Sequence, residues 1–378
     1  MVLVGCRSSG AVYPTRVPPA QEQGLRWLMR EQEKSGPLAG GWDPVKWGGQ
    51  NYPCGVSGAA LLAFLGDGCT DKGPREFAET VRTAIDFLMK QQQKFDKVPG
   101  QKGYFGEGMY SQGVCTLALG EAYGMTGSEK VKEAAQAGLD YILHVQPPTG
   151  GFGLYGPGCD MNVSAVQLLA IKAGIDVGLT VPEVSRARAE AFLRSSAMRP
   201  DYHATCGVPP AWTEKDGAVV RVPGVDPEAS VDCESPCSDR MTAASLAARL
   251  LLGHSRRDPE CVGQADWLVN SKYYGSDASH NDLYYIYYMS QAMFEMGDLW
   301  SKKYWSKWNK NFQAPLRALQ EKTGPNKGSW PPKADSRLGG YGGRVLTTAV
   351  ASLTLEVYWI YRMPPPVMRK KGSPDKSP

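Results

Sequence analysis

The sequence predicts an all-α fold, an α/α toroid of six helix pairs arranged as an α6/α6 double ring. Two observations carry this prediction. A unit of roughly fifty residues recurs six times, each copy a helix-like stretch, a Gly/aromatic turn and a second helix of small residues. No segment alternates with period two over enough residues for a sheet, 217–222 in an insertion being the short exception. A unit this small cannot bury its own apolar face, so neighbours must stack or close up. Six pairs favour a closed ring, with an open solenoid as the alternative.

The first pair joins 22–32 to 55–66 across Gly40, Gly41 and Trp42. The second is the clearest: Val81, Ala84, Ile85, Leu88 and Met89 fall on one helical face. Its turn ends at Gly103-Tyr-Phe-Gly, and a helix over 111–123 follows, stopped by Gly124 and Gly127. The third joins 137–146 to 160–174 across Gly150-Gly-Phe-Gly, and the fourth joins 182–197 to 239–253 across the insertion 198–238. The fifth joins 259–271 to 282–297, and the last joins 304–321 to 344–361 across Gly328-Ser-Trp. One helix of each pair is charged along one side and suits an outer layer. The other is rich in Ala, Gly, Ser, Thr and Leu, which lets helices approach closely around a centre.

The toroid therefore spans 22–362, between an N-terminal segment 1–21 and a Pro-rich, basic tail 363–378 that reads as disordered. A net charge of +4, from 42 basic and 38 acidic residues dispersed along the chain, gives no nucleic-acid signature. The apolar runs are too short for a membrane span. Leu3-Val-Gly-Cys6 is similar to the cleavage box of a bacterial lipoprotein, yet Met1 leaves no room for the basic and apolar parts of an export signal. Either the start lies upstream or the match is chance; a membrane tether follows only if Cys6 is lipidated. The compartment is accordingly exported or periplasmic on one reading and cytoplasmic on the other. The remaining eight cysteines, an even number, fit an oxidising compartment.

A Gln followed by Gly and an aromatic marks four turns: Gln32 with Gly41-Trp42, Gln93 with Gly103-Tyr104, Gln146 with Gly151-Phe152, and Gln320 with Gly328-Ser-Trp330. With the stretch from Asp282 through Tyr284, Tyr285, Tyr287 and Tyr288 to Gly297, and that from Gly343 to Tyr358, this pattern resembles bacterial, planctomycete-type prenyltransferase/squalene oxidase repeat proteins. These belong to the squalene cyclase/prenyltransferase toroid superfamily. The resemblance implies a central cavity for an isoprenoid-like or other hydrophobic small molecule and, if the chain is an enzyme, cyclase-like or prenyltransferase-like chemistry. It also marks what is missing. Asp160-Met-Asn162-Val-Ser164 lies on the family's Asp-x-Asp-Asp-Thr pattern with an amide where the proton donor would stand. The starts Asp239-Arg-Met-Thr and Gly343-Arg-Val-Leu lack the zinc-binding cysteine and histidine of protein prenyltransferases.

No cofactor is expected on this pattern. The alternative is zinc held by His203, Cys206, Cys233 and Cys237 across the neck of the insertion, where a disulfide from Cys206 or unrelated thiols compete as readings. Asp160, Asp239 and Asp282 head inner helices and are the catalytic candidates, with helix capping as the structural reading. Asn162, Tyr285, Arg240 and Arg344 crowd the same ends as ligand-binding candidates; Arg344 also suits an ion pair with Asp282, and both arginines suit an anion. Trp42 and Trp330 are either ligand contacts or packing staples. Two other functions remain open: a non-catalytic exported module that binds a peptide or glycan, and a carbohydrate-active toroid enzyme with two carboxylates facing one cleft.

Overall fold

The computed structural model describes residues 19–158, 160–196, 212–215, 218–221, 237–271, 282–301 and 304–360. Twelve α-helices alternate between two layers among these residues. The outer layer holds α1 (Pro19–Glu31), α3 (Arg75–Gln93), α5 (Glu129–Val145), α7 (Glu183–Ser196), α9 (Pro259–Asn270) and α11 (Tyr304–Ala318). The inner layer holds α2 (Pro53–Gly66), α4 (Met109–Thr126), α6 (Met161–Asp176), α8 (Cys237–Leu251), α10 (Leu283–Met296) and α12 (Ser336–Ile360). Each inner helix packs on the next, and α12 returns to pack on α2, so the ring is closed and the solenoid alternative falls.

Inner helices are apolar nearly all round. In α4 every residue from Ser111 to Ala122 is buried, because one face meets the outer layer, two meet neighbours and the fourth meets the centre. Only small residues allow such crowding. A Cβ on Gly55 would strike Ser111 of α4, and one on Gly113 would strike Gln167 and Val166 of α6.

The repeated turn is a hydrogen-bonded clamp. Gln32 Nε2 donates to Gly40 O of its own turn (2.7 Å) and to Thr80 O of the next outer helix (2.9 Å). Gln92 does the same with Gly103 O (3.2 Å) and Ala134 O (3.0 Å), and Gln146 reaches Ser185 O (3.3 Å). The clamp in the second unit is thus Gln92, not Gln93, because Gln92 is buried and Gln93 is exposed. The equivalent turn glycine always has positive φ, at Gly40, Gly103, Gly150 and Gly328. A Cβ there would lie 1.9 to 2.4 Å from a main-chain carbonyl oxygen on the neighbouring outer helix, a severe clash. Gln320 completes the series: its amide donates to Gly328 O (2.8 Å) and, across the ring closure, to Ala20 O of α1 (2.5 Å).

The aromatic of each turn is fixed from the inner helix. Ser57 Oγ accepts from Trp42 N (3.0 Å), Gln112 Oε1 from Phe105 N (3.1 Å), Ser164 Oγ from Phe152 N (2.8 Å) and Thr348 Oγ1 from Trp330 N (3.0 Å).

Two departures have local causes. Helix α12 begins at Ser336, ahead of the expected start at 344, and breaks at Gly343 (φ 59°), where a Cβ would meet Trp47 O. Within the short alternation at 217–222, Ala218–Arg221 forms β4, paired in a hairpin with β3 (Trp212–Lys215), while β1 (Phe152–Gly153) and β2 (Gly156–Pro157) close the third turn. Apart from that hairpin and residues 237–238, the insertion lies outside the described residues, as do segment 1–18 and the tail from 361. No helix among the described residues is long and apolar enough to cross a membrane.

Candidate functional site

Since all six inner helices run the same way, their N-termini gather at one mouth of the ring. Asp160 caps α6, accepting from Asn162 N (2.8 Å), and Asn162 Nδ2 turns back onto the same oxygen (3.1 Å). Asp282 caps α10 through Tyr285 N (2.9 Å) and also receives the Arg240 guanidinium of α8, whose Nε lies 2.9 Å from Oδ2 and whose Nη2 shares that oxygen. The expected partner of Asp282, Arg344, is elsewhere: it bonds Ser329 Oγ (2.9 Å) and lies near Glu321, on the outer turn. Residue 344 follows the Gly343 break, which aims it away from the mouth.

Arg240 is the hub. Its guanidinium sits 5.7 Å from the Tyr284 ring centre, in cation–π range. Burial pulls its proton affinity down, but the charges of Asp282 and Asp335 outweigh that, and the net shift is upward. Asp335, from the loop before α12, is buried at 1% exposure. It accepts from Arg337 N (2.8 Å), Leu338 N (2.9 Å) and Tyr284 N (3.4 Å), joining the starts of α10 and α12. Burial raises its carboxyl pKa despite those donors.

Tyr110 of α4 comes from the opposite side of the ring. It lies in the electrostatic field of Asp335 and Arg240, and burial pushes its hydroxyl up to about 12. Tyr284 is held well above the ordinary range by burial and by Tyr288, Tyr110 and Asp160. Five inner helices thus bring Tyr110, Asp160, Arg240, Asp282 and Tyr284 together with Asp335.

Three of the expected residues are committed to packing. Trp42 and Trp330 are wholly buried, and their indole N–H groups donate to Leu28 O (2.8 Å) and Leu316 O (2.7 Å). They staple the layers and offer no surface to a ligand. Tyr285 faces outward, edge-on to Trp308 (6.0 Å between centres), while its neighbour Tyr284 faces the mouth. Asp239 also turns away. It sits inside the first turn of α8, not at its cap, and accepts from Trp267 Nε1 (3.0 Å) and Ser271 Oγ of the next outer helix.

Sequence reasoning missed Tyr110, Asp335 and Glu107, which accepts from Cys54 N (2.7 Å) and Gly55 N (2.9 Å) to cap α2. The available signal was their position just before or at an inner-helix start.

Among the described residues, no group of three His, Cys, Asp or Glu side chains is placed to hold a metal ion. His203, Cys206 and Cys233, and the side chain of Cys237, lie outside the described residues. Cys54, Cys69, Cys115 and Cys261 are buried thiols, each with its pKa raised by burial, which suppresses the reactive thiolate.

No protein-family model and no curated protein matches the chain. Solved structures do. An α-1,6-mannanase of glycoside hydrolase family 76 from a Salegentibacter species superposes with TM-score 0.61 at 11% identity, over 90% of this chain and 98% of that one. A family 76 glycoside hydrolase from a bovine Bacteroides thetaiotaomicron strain gives 0.60 at 13%, over 91% and 77%. An unsaturated glucuronyl hydrolase specific for heparin gives 0.58 at 15%, over 90% and 95%. The fold is the α/α toroid. These neighbours are sugar-cleaving toroids, so the resemblance to squalene cyclases, prenyltransferases and terpenoid cyclases is corrected. The Gln/Gly/aromatic turn explains the error: it clamps stacked helix pairs in a ring, whatever the ring does. The isoprenoid ligand rested on that resemblance and goes with it.

Proposed function

We propose that this protein is a carbohydrate-active toroid that receives a glycan at the ring mouth and hydrolyses it there. The observation that carries the reading is the gathering of Asp160, Arg240, Tyr284, Tyr110 and Asp335 from separate helices at one mouth of the ring, within each other's electrostatic reach. Carboxylates, phenols and a guanidinium match the hydroxyl-rich surface of a sugar better than that of an apolar ligand. The fold neighbours lend support of the same kind. One is described as an inactive variant of the Salegentibacter mannanase, with two aspartates changed to asparagine, in complex with α-1,6-mannotriose. Those two aspartates are consecutive, and no two aspartates are consecutive in this sequence, so that arrangement is not carried over.

Glycoside hydrolysis wants one carboxyl to give a proton and another to activate water or attack. Asp160, half-buried at the mouth, takes the second role; Asp335, whose proton burial holds more tightly, takes the first. A second reading, glycan binding without cleavage, is favoured by one observation: both Asp335 oxygens already accept main-chain N–H groups.

Incubation with a panel of manno-, gluco- and uronic-acid oligosaccharides, read by mass spectrometry of products and by calorimetric binding, tests both. Products that vanish in Asp160→Asn support hydrolysis. Binding without products selects the second reading, and neither binding nor products overturns both.

A further inference from the structure

The end of the ring opposite the mouth holds an unsatisfied cluster at the seam where the first and last units meet. Glu356 of α12 is wholly buried, and neither carboxyl oxygen has a hydrogen-bond partner. It lies against the backbone of Gly66 in α2, where a Cβ would overlap Oε2. Its polar neighbour is Gln21 of α1, also wholly buried, whose Oε1 lacks a partner while Nε2 donates to Asp67 Oδ1 (3.2 Å). Asp67 caps the end of α2 and takes the Cys69 thiol on its other oxygen (3.7 Å). All three unpartnered atoms, Glu356 Oε1, Glu356 Oε2 and Gln21 Oε1, are acceptors. The cluster lacks one donor.

We propose that a proton on Glu356 is the clasp of the ring: as a carboxylic acid it donates to Gln21 Oε1 and ties α12 to α1, and on ionisation the seam loosens. One proton completes a chain from Glu356 through the Gln21 amide to Asp67, leaving Cys69 as the last donor.

The surroundings favour the neutral form. From α1 come Gln21 and the Glu22 carboxylate, whose charge acts on Asp67. From the end of α2 come Asp67 and Cys69; from α3 the charge of Glu76 acts on Cys69; from α10 comes Tyr287. No lysine or arginine acts on Glu356 among the described residues. Burial first and Asp67 second hold its pKa well above the ordinary carboxyl range, against the smaller downward pull of the Gln21 side chain, and burial lifts Asp67 to about 7. A raised folded pKa means stability that is complete at acid pH and lost as pH rises through it. The clasp is therefore closed in acid and opens toward alkaline pH.

Hydrogen-exchange mass spectrometry of the full chain at pH 6 to 9 in EDTA, corrected for intrinsic exchange, tests this. Exchange in α1 and at the end of α12 should rise relative to α6 by about tenfold per pH unit while Glu356 is protonated in the closed ring and ionised in the opened one. It should level off once Glu356 ionises in the closed ring. Glu356→Gln should remove that rise, because its amide supplies a donor at every pH. Parallel behaviour of wild type and Glu356→Gln overturns the proposal. So does protection of the wild-type seam by added calcium that EDTA reverses, since a cation would then be filling the cluster. If Glu356→Gln does not fold, the wild-type profile still decides: a pH response spread evenly over all helices overturns the clasp.

Discussion

At the mouth, Glu107, Asp160, Asp282 and Asp335 all accept main-chain N–H groups, and Arg240 supplies the countercharge. At the opposite end, Glu121 of α4 and Glu356 of α12 are wholly buried, deeper than all of these but Asp335, and none of their four carboxyl oxygens has a partner. The difference follows from helix polarity. A helix start presents unspent N–H groups and the positive end of its dipole, whereas a helix end presents unspent carbonyls and the negative end. Parallel inner helices collect all six starts at one end, so carboxylates there find main-chain donors that aim them. Acids near the other end are desolvated without compensation and keep their protons. One ring therefore offers a mouth suited to charge and a floor suited to neutral acids.

Replacing an acid at each end should separate the two. Asp335→Ala strips an acceptor from three N–H groups on two helices and should cost about 3 kcal/mol in urea unfolding at pH 7. Asp282→Ala removes a cap and leaves Arg240 without its carboxylate, for about 2 kcal/mol in the same measurement. At the floor the sign reverses with pH. Burial raises Glu121 to about 8, so the folded chain keeps a proton that the unfolded chain loses near the ordinary carboxyl range, and stability falls as pH rises between the two. Glu121→Gln should therefore gain on wild type by about 1 kcal/mol between pH 7 and 8 in thermal unfolding, and gain nothing below pH 4. Asp160→Asn should move stability by only a few tenths of a kcal/mol, because asparagine caps a helix as well as aspartate does. Its loss of glycan turnover would then be chemical, not structural.

The clamp shows how far local pattern carries. Gln32, Gln146 and Gln320 were legible because each sits at the end of an apolar stripe and before a glycine turn. The shift from Gln93 to Gln92 depends on which face of α3 is buried, which a run of three glutamines does not disclose. The candidate site was legible only in part. Asp160, Asn162, Arg240 and Asp282 stand at inner-helix starts and were found by that rule. Tyr284 and Tyr285 are neighbours in an aromatic run, and nothing local says which one faces the mouth. Asp335 precedes a helix start hidden by the break at Gly343.

By itself the sequence determined the helix pairs, their order and the turns between them, because period, small-residue content and turn glycines are properties of short segments. Tertiary structure alone decided that the ring closes through Gln320 and Ala20, and that Arg240 takes Asp282 while Arg344 turns outward. It alone decided that Glu356 and Gln21, 335 residues apart in the chain, share one buried cluster short of a donor. Closure sets these pairings because it juxtaposes the two ends of the repeat, and no local pattern encodes contact across a seam.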